Sequence, residues 1–175
     1  ELKSRENLKT IVCVTGQHRQ MLDQVLKAFD VVPEYDLSIM KERQTLFDVT
    51  TSILSKIKEV LEEVKPDIVL TYTIKPNIYG GTLCGINGIR YIPNITGLGT
   101  SIENDDFMSK IILFLYKLAL TKSNSVFFQN EENKSFFQER KIIKTGVVLP
   151  GSGVNLDENK YEEYPENSEN LNFLF

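Results

Sequence analysis

Several stretches of this chain combine residue types that can hold an anion or move a proton. Thr73-Ile74-Lys75-Pro76-Asn77 places an ammonium beside an amide side chain, at what the flanking pattern makes a strand-to-helix turn. The first free amides of a helix favour negative charge and Asn77 can cap them, so the turn reads as a seat for a phosphate, and equally as a plain capped turn. Asn94-Ile95-Thr96-Gly97-Leu98-Gly99-Thr100 follows another apolar run. There Gly97 and Gly99 leave the backbone bare for a sugar or diphosphate, or else serve a tight loop that needs positive φ. The third glycine of a dinucleotide fingerprint is missing. Glu103, Asp105 and Asp106 come next. Glu103 is the candidate catalytic base for a hydroxyl proton, against the plainer reading of acids in the first turn of a helix.

A second set lies earlier. Gln17, His18 and Gln20 fall where a strand passes into a helix, at the carboxyl edge of the sheet where open α/β folds bind ligands. Arg43 offers a fork for a diphosphate. The competing reading is a run of ordinary polar loop residues. His18 is the only histidine, with no partners for a metal or a catalytic triad.

These residues need a scaffold, and the apolar pattern supplies one. Runs at residues 10–15, 67–73, 91–96, 125–129, 147–150 and 171–175 read as strands. Helical spacing appears between them at 19–29, 45–64, 77–87, 107–122 and 131–140. Alternation of this kind predicts an α/β fold with a parallel sheet and crossover helices. The polar helix end at residues 1–7 leads straight into a strand, and the last apolar run has nothing after it, so both ends read as truncated.

With 175 residues, of which 41% are hydrophobic and 25% charged, the chain is long enough for one substantial core. Its longest apolar run, 111–120, is broken by Lys117 and is about half of the roughly 20 residues that cross a bilayer. Cys13 and Cys84 read as small buried hydrophobes suited to a reducing cytoplasm. The net charge of −4 gathers in the acidic tail after Asn155, which argues against nucleic acid as a partner. In the 107–122 helix, Lys110 and Lys117 share a face. Core packing accounts for most of that helix, and an apolar and basic edge adds the expectation of peripheral contact with an anionic membrane. Exposed sheet edges add an expectation of self-association.

Residues 8–70 resemble the amino-terminal region of the non-hydrolysing UDP-N-acetylglucosamine 2-epimerases, through Val14-Thr15-Gly16-Gln17-His18-Arg19-Gln20-Met21-Leu22-Asp23, Tyr35-Asp36-Leu37 and Met40-Lys41-Glu42-Arg43-Gln44-Thr45-Leu46. That resemblance implies a regulatory UDP-sugar site made by Gln17, His18, Gln20 and Arg43. The family's His-Gly-Asp loop is replaced here by Thr71-Tyr72-Thr73-Ile74, and its catalytic glutamates have no matching positions. Epimerisation by the chain alone is therefore not expected.

From about residue 65 the chain resembles the acceptor-side domain of family 4 glycosyltransferases of surface-polysaccharide synthesis, through Thr71 to Gly80, Asn94 to Thr100, Val126-Phe127-Phe128-Gln129-Asn130-Glu131 and Leu149-Pro150-Gly151-Ser152-Gly153-Val154. This second resemblance implies an acceptor domain, inactive alone, for transfer of a sugar from a UDP-sugar to a polyprenyl-diphosphate-linked acceptor at the inner face of the membrane, the alternatives being a UDP-N-acetylglucosamine 2-epimerase fragment or a non-catalytic nucleotide-sugar-binding remnant. Thr73, Lys75, Asn77, Asn94, Thr96, Gly97, Gly99 and Thr100 would then bind acceptor or phosphate, with no cofactor and no metal. Together the resemblances predict a chimera joined at Lys65-Pro66-Asp67-Ile68-Val69-Leu70. Its Rossmann-like first domain, of the GT-B two-domain type with helices on both faces of the sheet, would span 1–154 (1–66 epimerase-like, 67–154 transferase-like). An acidic linker and one strand of a second domain would follow at 155–175.

Overall fold

In the computed structural model, residues 2–16, 19–41, 43–98, 102, 107–151, 156–157 and 160–163 are described. A short 3-10 turn, Leu2–Ser4, precedes β1 (Cys13–Val14), α1 (Arg19–Ala28), β2 (Tyr35–Asp36), α2 (Leu46–Val64) and β3 (Ile68–Tyr72). A π-helical turn, Pro76–Gly80, runs into α3 (Gly81–Asn87), followed by β4 (Arg90–Ile95), α4 (Phe107–Leu120), β5 (Phe127–Phe128), α5 (Glu131–Glu139) and β6 (Val147–Val148). The expected strand at 171–175 lies outside the described residues.

All pairings are parallel, as the alternating pattern predicts, but the strands form two sheets rather than one. β1 pairs with β2, and β3, β4, β5 and β6 follow in that order in the second sheet. Among the described residues no strand lies on the free edge of β3. Alternate β3 side chains stay exposed, Ile68 at 46%, Leu70 at 37% and Tyr72 at 48%. Likewise α1 buries none of its residues and leaves Met21 and Val25 exposed, as is Phe29 just after it.

Helix α2 ties the two sheets together. Thr45 accepts from the Asp48 amide at 3.2 Å while the Asp48 carboxylate accepts from the Thr45 amide at 2.8 Å, a capping box that starts the helix. Lys65, in the left-handed region at φ 49°, stops it before Pro66. Val49 and Ile53 pack with Leu37 and Ile39 after β2. Further along, Leu61 packs with Cys84 of α3 and Tyr91 of β4. Ile57 touches both clusters.

The largest cluster sits beneath β4 and β5, where Phe137 of α5 meets Tyr116 edge-on at 5.3 Å and Phe128 at 5.6 Å between ring centroids. No helix among the described residues is long and apolar enough to cross a membrane. On α4, Ser109, Tyr116, Ala119 and Leu120 face inward, while Phe107, Met108, Ile111, Phe114 and Leu118 are exposed.

Candidate functional site

Parallel strands bring the loops after their carboxyl ends to one edge, and most of the singled-out residues sit in those loops. After β1, Gly16 takes φ +68°, and a Cβ there would lie 3.1 Å from Asp36 Oδ1 and 3.3 Å from Ser38 Cα. Backbone bonds from Leu37 to the Val14 carbonyl (2.8 Å) and from Ile39 to the Thr15 carbonyl (3.1 Å) fasten the loop after β2 against the end of β1. Asp36 is the joint. Its Oδ1 accepts from the Ser38 amide at 3.0 Å and the Ser38 hydroxyl at 3.1 Å, and its Oδ2 accepts from the Arg19 guanidinium of α1. Burial would raise the Asp36 carboxyl, but these hydrogen bonds outweigh it and hold the group below its ordinary 3.8. Arg19 also pairs with Asp23 one turn along the helix at 3.1 Å.

Gln17 and His18 lie outside the described residues, between these two anchored flanks. Gln20 is exposed on α1, and Arg43 is exposed with φ +57°. Gln44 folds the loop that carries Arg43, donating to the Ile39 carbonyl at 3.0 Å and accepting from the Lys41 amide. Among the described residues no carboxylate pairs with Arg43. An open polar groove of about 430 Å³ runs beside this loop, lined by Lys41, Gln44, Asp48, Thr51, Ser52 and Ser55.

In the second sheet, Thr73 ends β3 exposed and at φ +68°. Lys75 is half-buried without a carboxylate partner among the described residues, and burial pushes its ammonium below the usual 10.5. Asn77 does not face a ligand. It is fully buried, accepts from Thr71 Oγ1 at 2.7 Å and donates to the Asn94 carbonyl at 2.9 Å, so it supports the loop from inside. Asn94 is buried too, its side-chain oxygen accepting from Gln129, just after β5, at 3.2 Å. Thr96 and Gly97 are exposed at the end of β4. Gly97 is not in the left-handed region and has nothing within 4 Å of its Cβ position, so the tight-turn reading fails there. Gly99, Thr100 and Glu103 lie outside the described residues. Among the described residues no cluster of His, Cys, Asp or Glu could hold a metal.

Sequence reasoning missed Asp36 and Arg19 as site-forming groups. The available signal was Asp36 two residues before Ser38, the spacing at which a carboxylate bonds the backbone two positions on.

Comparison with known proteins places this geometry. The sequence model of the family described as UDP-N-acetylglucosamine 2-epimerase matches residues 1–85. A Thermotoga maritima protein named "Putative UDP-N-acetylglucosamine 2-epimerase" is 49% identical over 170 residues, covering 94% of this chain and 44% of that protein. The crystal structure of UDP-GlcNAc 2-epimerase from Neisseria meningitidis bound to UDP-GlcNAc superposes with a TM-score of 0.69 at 30% identity, over 86% of this chain and 40% of that one. The S. aureus MnaA–UDP structure gives 0.62 at 27%, over 79% and 36%. This chain thus spans less than half the length of the relatives it matches.

These matches support the epimerase resemblance and lend none to the chimera. One relative runs through both sides of residues 65–70, and the family model extends beyond them to residue 85. Leu61 before residues 65–70 and Cys84 and Tyr91 after them share one core cluster. The glycosyltransferase acceptor function is overturned by the same relatives, all named for epimerisation. The lipid-linked acceptor and the membrane contact belonged to that reading and find no support in them.

Proposed function

We propose that this chain is the first, nucleotide-sugar-facing unit of a UDP-N-acetylglucosamine 2-epimerase-type protein. The observation that carries the reading is the 49% identity to the Thermotoga maritima relative across 94% of the chain. The fold shared with a structure bound to UDP-GlcNAc adds to it. In this reading residues 1–154 are the Rossmann-like unit and 155–175 lead out of it. Arg43 and Gln20, with Gln17 and His18, contact the UDP-sugar, and the strand-end groups Thr73, Lys75, Thr96 and Gly97 border the same edge.

The chemistry assigned to the chain is binding. Epimerisation requires a placed acid and base for a proton on carbon. Among the described residues, the loops after β3 and β4 present Thr73, Lys75, Thr96 and Gly97 at the strand ends. An exposed guanidinium and a partly buried ammonium suit the diphosphate, Arg43 through its fork and Lys75 as a point charge.

Calorimetric titration with UDP-GlcNAc and with UDP tests this. Saturable binding is expected, weakened about tenfold in Arg43→Ala, which corresponds to about 1.4 kcal/mol. A folded protein that takes up neither ligand would refute the proposal.

A further inference from the structure

We infer that Asp36 is a positioning residue that locks the β1–α1 loop to the loop after β2, and that ligand affinity at this edge depends on the lock. The inference rests on the binding role proposed above and adds to it a residue outside the proposed contact set.

The two carboxylate oxygens divide their work. Oδ1 serves the chain after β2, through the Ser38 amide at 3.0 Å and hydroxyl at 3.1 Å, in a turn strained enough to hold Ser38 at φ +42°. Oδ2 serves α1 through Arg19. From β1, Gly16 packs so closely that a Cβ would meet Oδ1 at 3.1 Å, at a φ of +68° that disfavours any side chain. Two segments 17 residues apart, one carrying Gly16 and Arg19 and the other Asp36 and Ser38, therefore meet at one side chain.

Stability alone is a poor reason for such an arrangement. The Arg19 side chain is 55% exposed, and ion pairs that open to solvent contribute little to folding. Fixing loop geometry before a ligand arrives matters more, because ordering a loop on binding subtracts directly from affinity. Asp23 provides an internal control. It pairs with the same Arg19 at 3.1 Å but on the same helix, half-exposed, and among the described residues joins no second loop.

The test compares Asp36→Ala, Asp36→Asn and Asp23→Asn by calorimetry with UDP-GlcNAc and by amide hydrogen exchange, with thermal melts to establish folding. Expected is at least tenfold weaker binding in Asp36→Ala, an intermediate loss in Asp36→Asn, whose remaining oxygen still accepts from Ser38, and affinity within twofold of the parent in Asp23→Asn. Exchange at the Ser38 amide, and at the Asp23 amide that the first turn of α1 protects, should quicken together in Asp36→Ala. Unchanged affinity in a folded Asp36→Ala protein overturns the inference. If the parent protein itself binds no UDP-GlcNAc, the binding role fails, and exchange decides alone: joint acceleration at Ser38 and Asp23 upholds the lock, and unchanged exchange rejects it. Should Asp36→Ala not fold, Asp36→Asn is read against Asp23→Asn by the same criteria.

Discussion

Asn77 shows how a side chain chosen for ligand chemistry can be consumed by support. Enclosed completely, it links the Thr71 hydroxyl of β3 to the Asn94 carbonyl of β4. Replacing it with alanine strands a buried hydroxyl and a buried carbonyl, and should cost about 1–3 kcal/mol in urea unfolding. A cost near zero would mean that water replaces both bonds. The sequence carried the local half of this: Thr73 to Asn77 does form a strand-to-helix turn. It did not carry the other half, because the burial of Asn77 depends on Asn94, 17 residues away. Asp36 was hidden for the same reason. Its turn with Ser38 is local, but its hold on Arg19 crosses 17 residues.

Elements whose causes are local were legible. α2 begins on its Thr45–Asp48 box and ends on Lys65 as the amphipathic spacing predicts. Thr45→Ala should destabilise the protein by about 1 kcal/mol, measured as a lower urea midpoint with unchanged slope. β2 was not legible, since two residues cannot display a period and its pairing with β1 is set by the α1 crossover. The predicted helix at 77–87 divides into a π-helical turn and α3, and the wide turn is where Asn77 enters the core.

At the amino-terminal edge, Glu34 binds the Lys3 ammonium at 2.7 Å and the Val12 amide at 2.7 Å, holding the first turn against β1. Led by the Lys3 bond, these contacts lower its carboxyl from 4.5 to about 2. A depressed carboxyl contributes its full stabilisation above its unfolded pKa of 4.5 and loses it as pH falls toward 2. Titration of the Glu34 side-chain carbon by NMR should therefore find it ionised at about pH 3.5. A midpoint near the ordinary glutamate value would show that the clamp is absent in solution.

For the molecule as a whole, α2 joins the two sheets, packing on the loop after β2 at one end and on α3 and β4 at the other. The α/β class and the parallel order followed from alternation of elements. The division into two sheets did not, because it depends on which strand edges meet rather than on the pattern within any strand. The expected junction came from two local resemblances, of which the comparisons support the epimerase-like one, and one relative runs through both sides of residues 65–70. The central claim is that the strand ends bind a UDP-sugar. Its most direct test is an NMR titration of the isotope-labelled protein with UDP-GlcNAc, following backbone amides. The account predicts saturable shifts at Gly16, Arg19, Arg43, Lys75 and Gly97 with none along the exposed face of α4. Shifts confined to Phe107, Ile111 and Phe114 on α4, or no shifts from a folded protein, would contradict it.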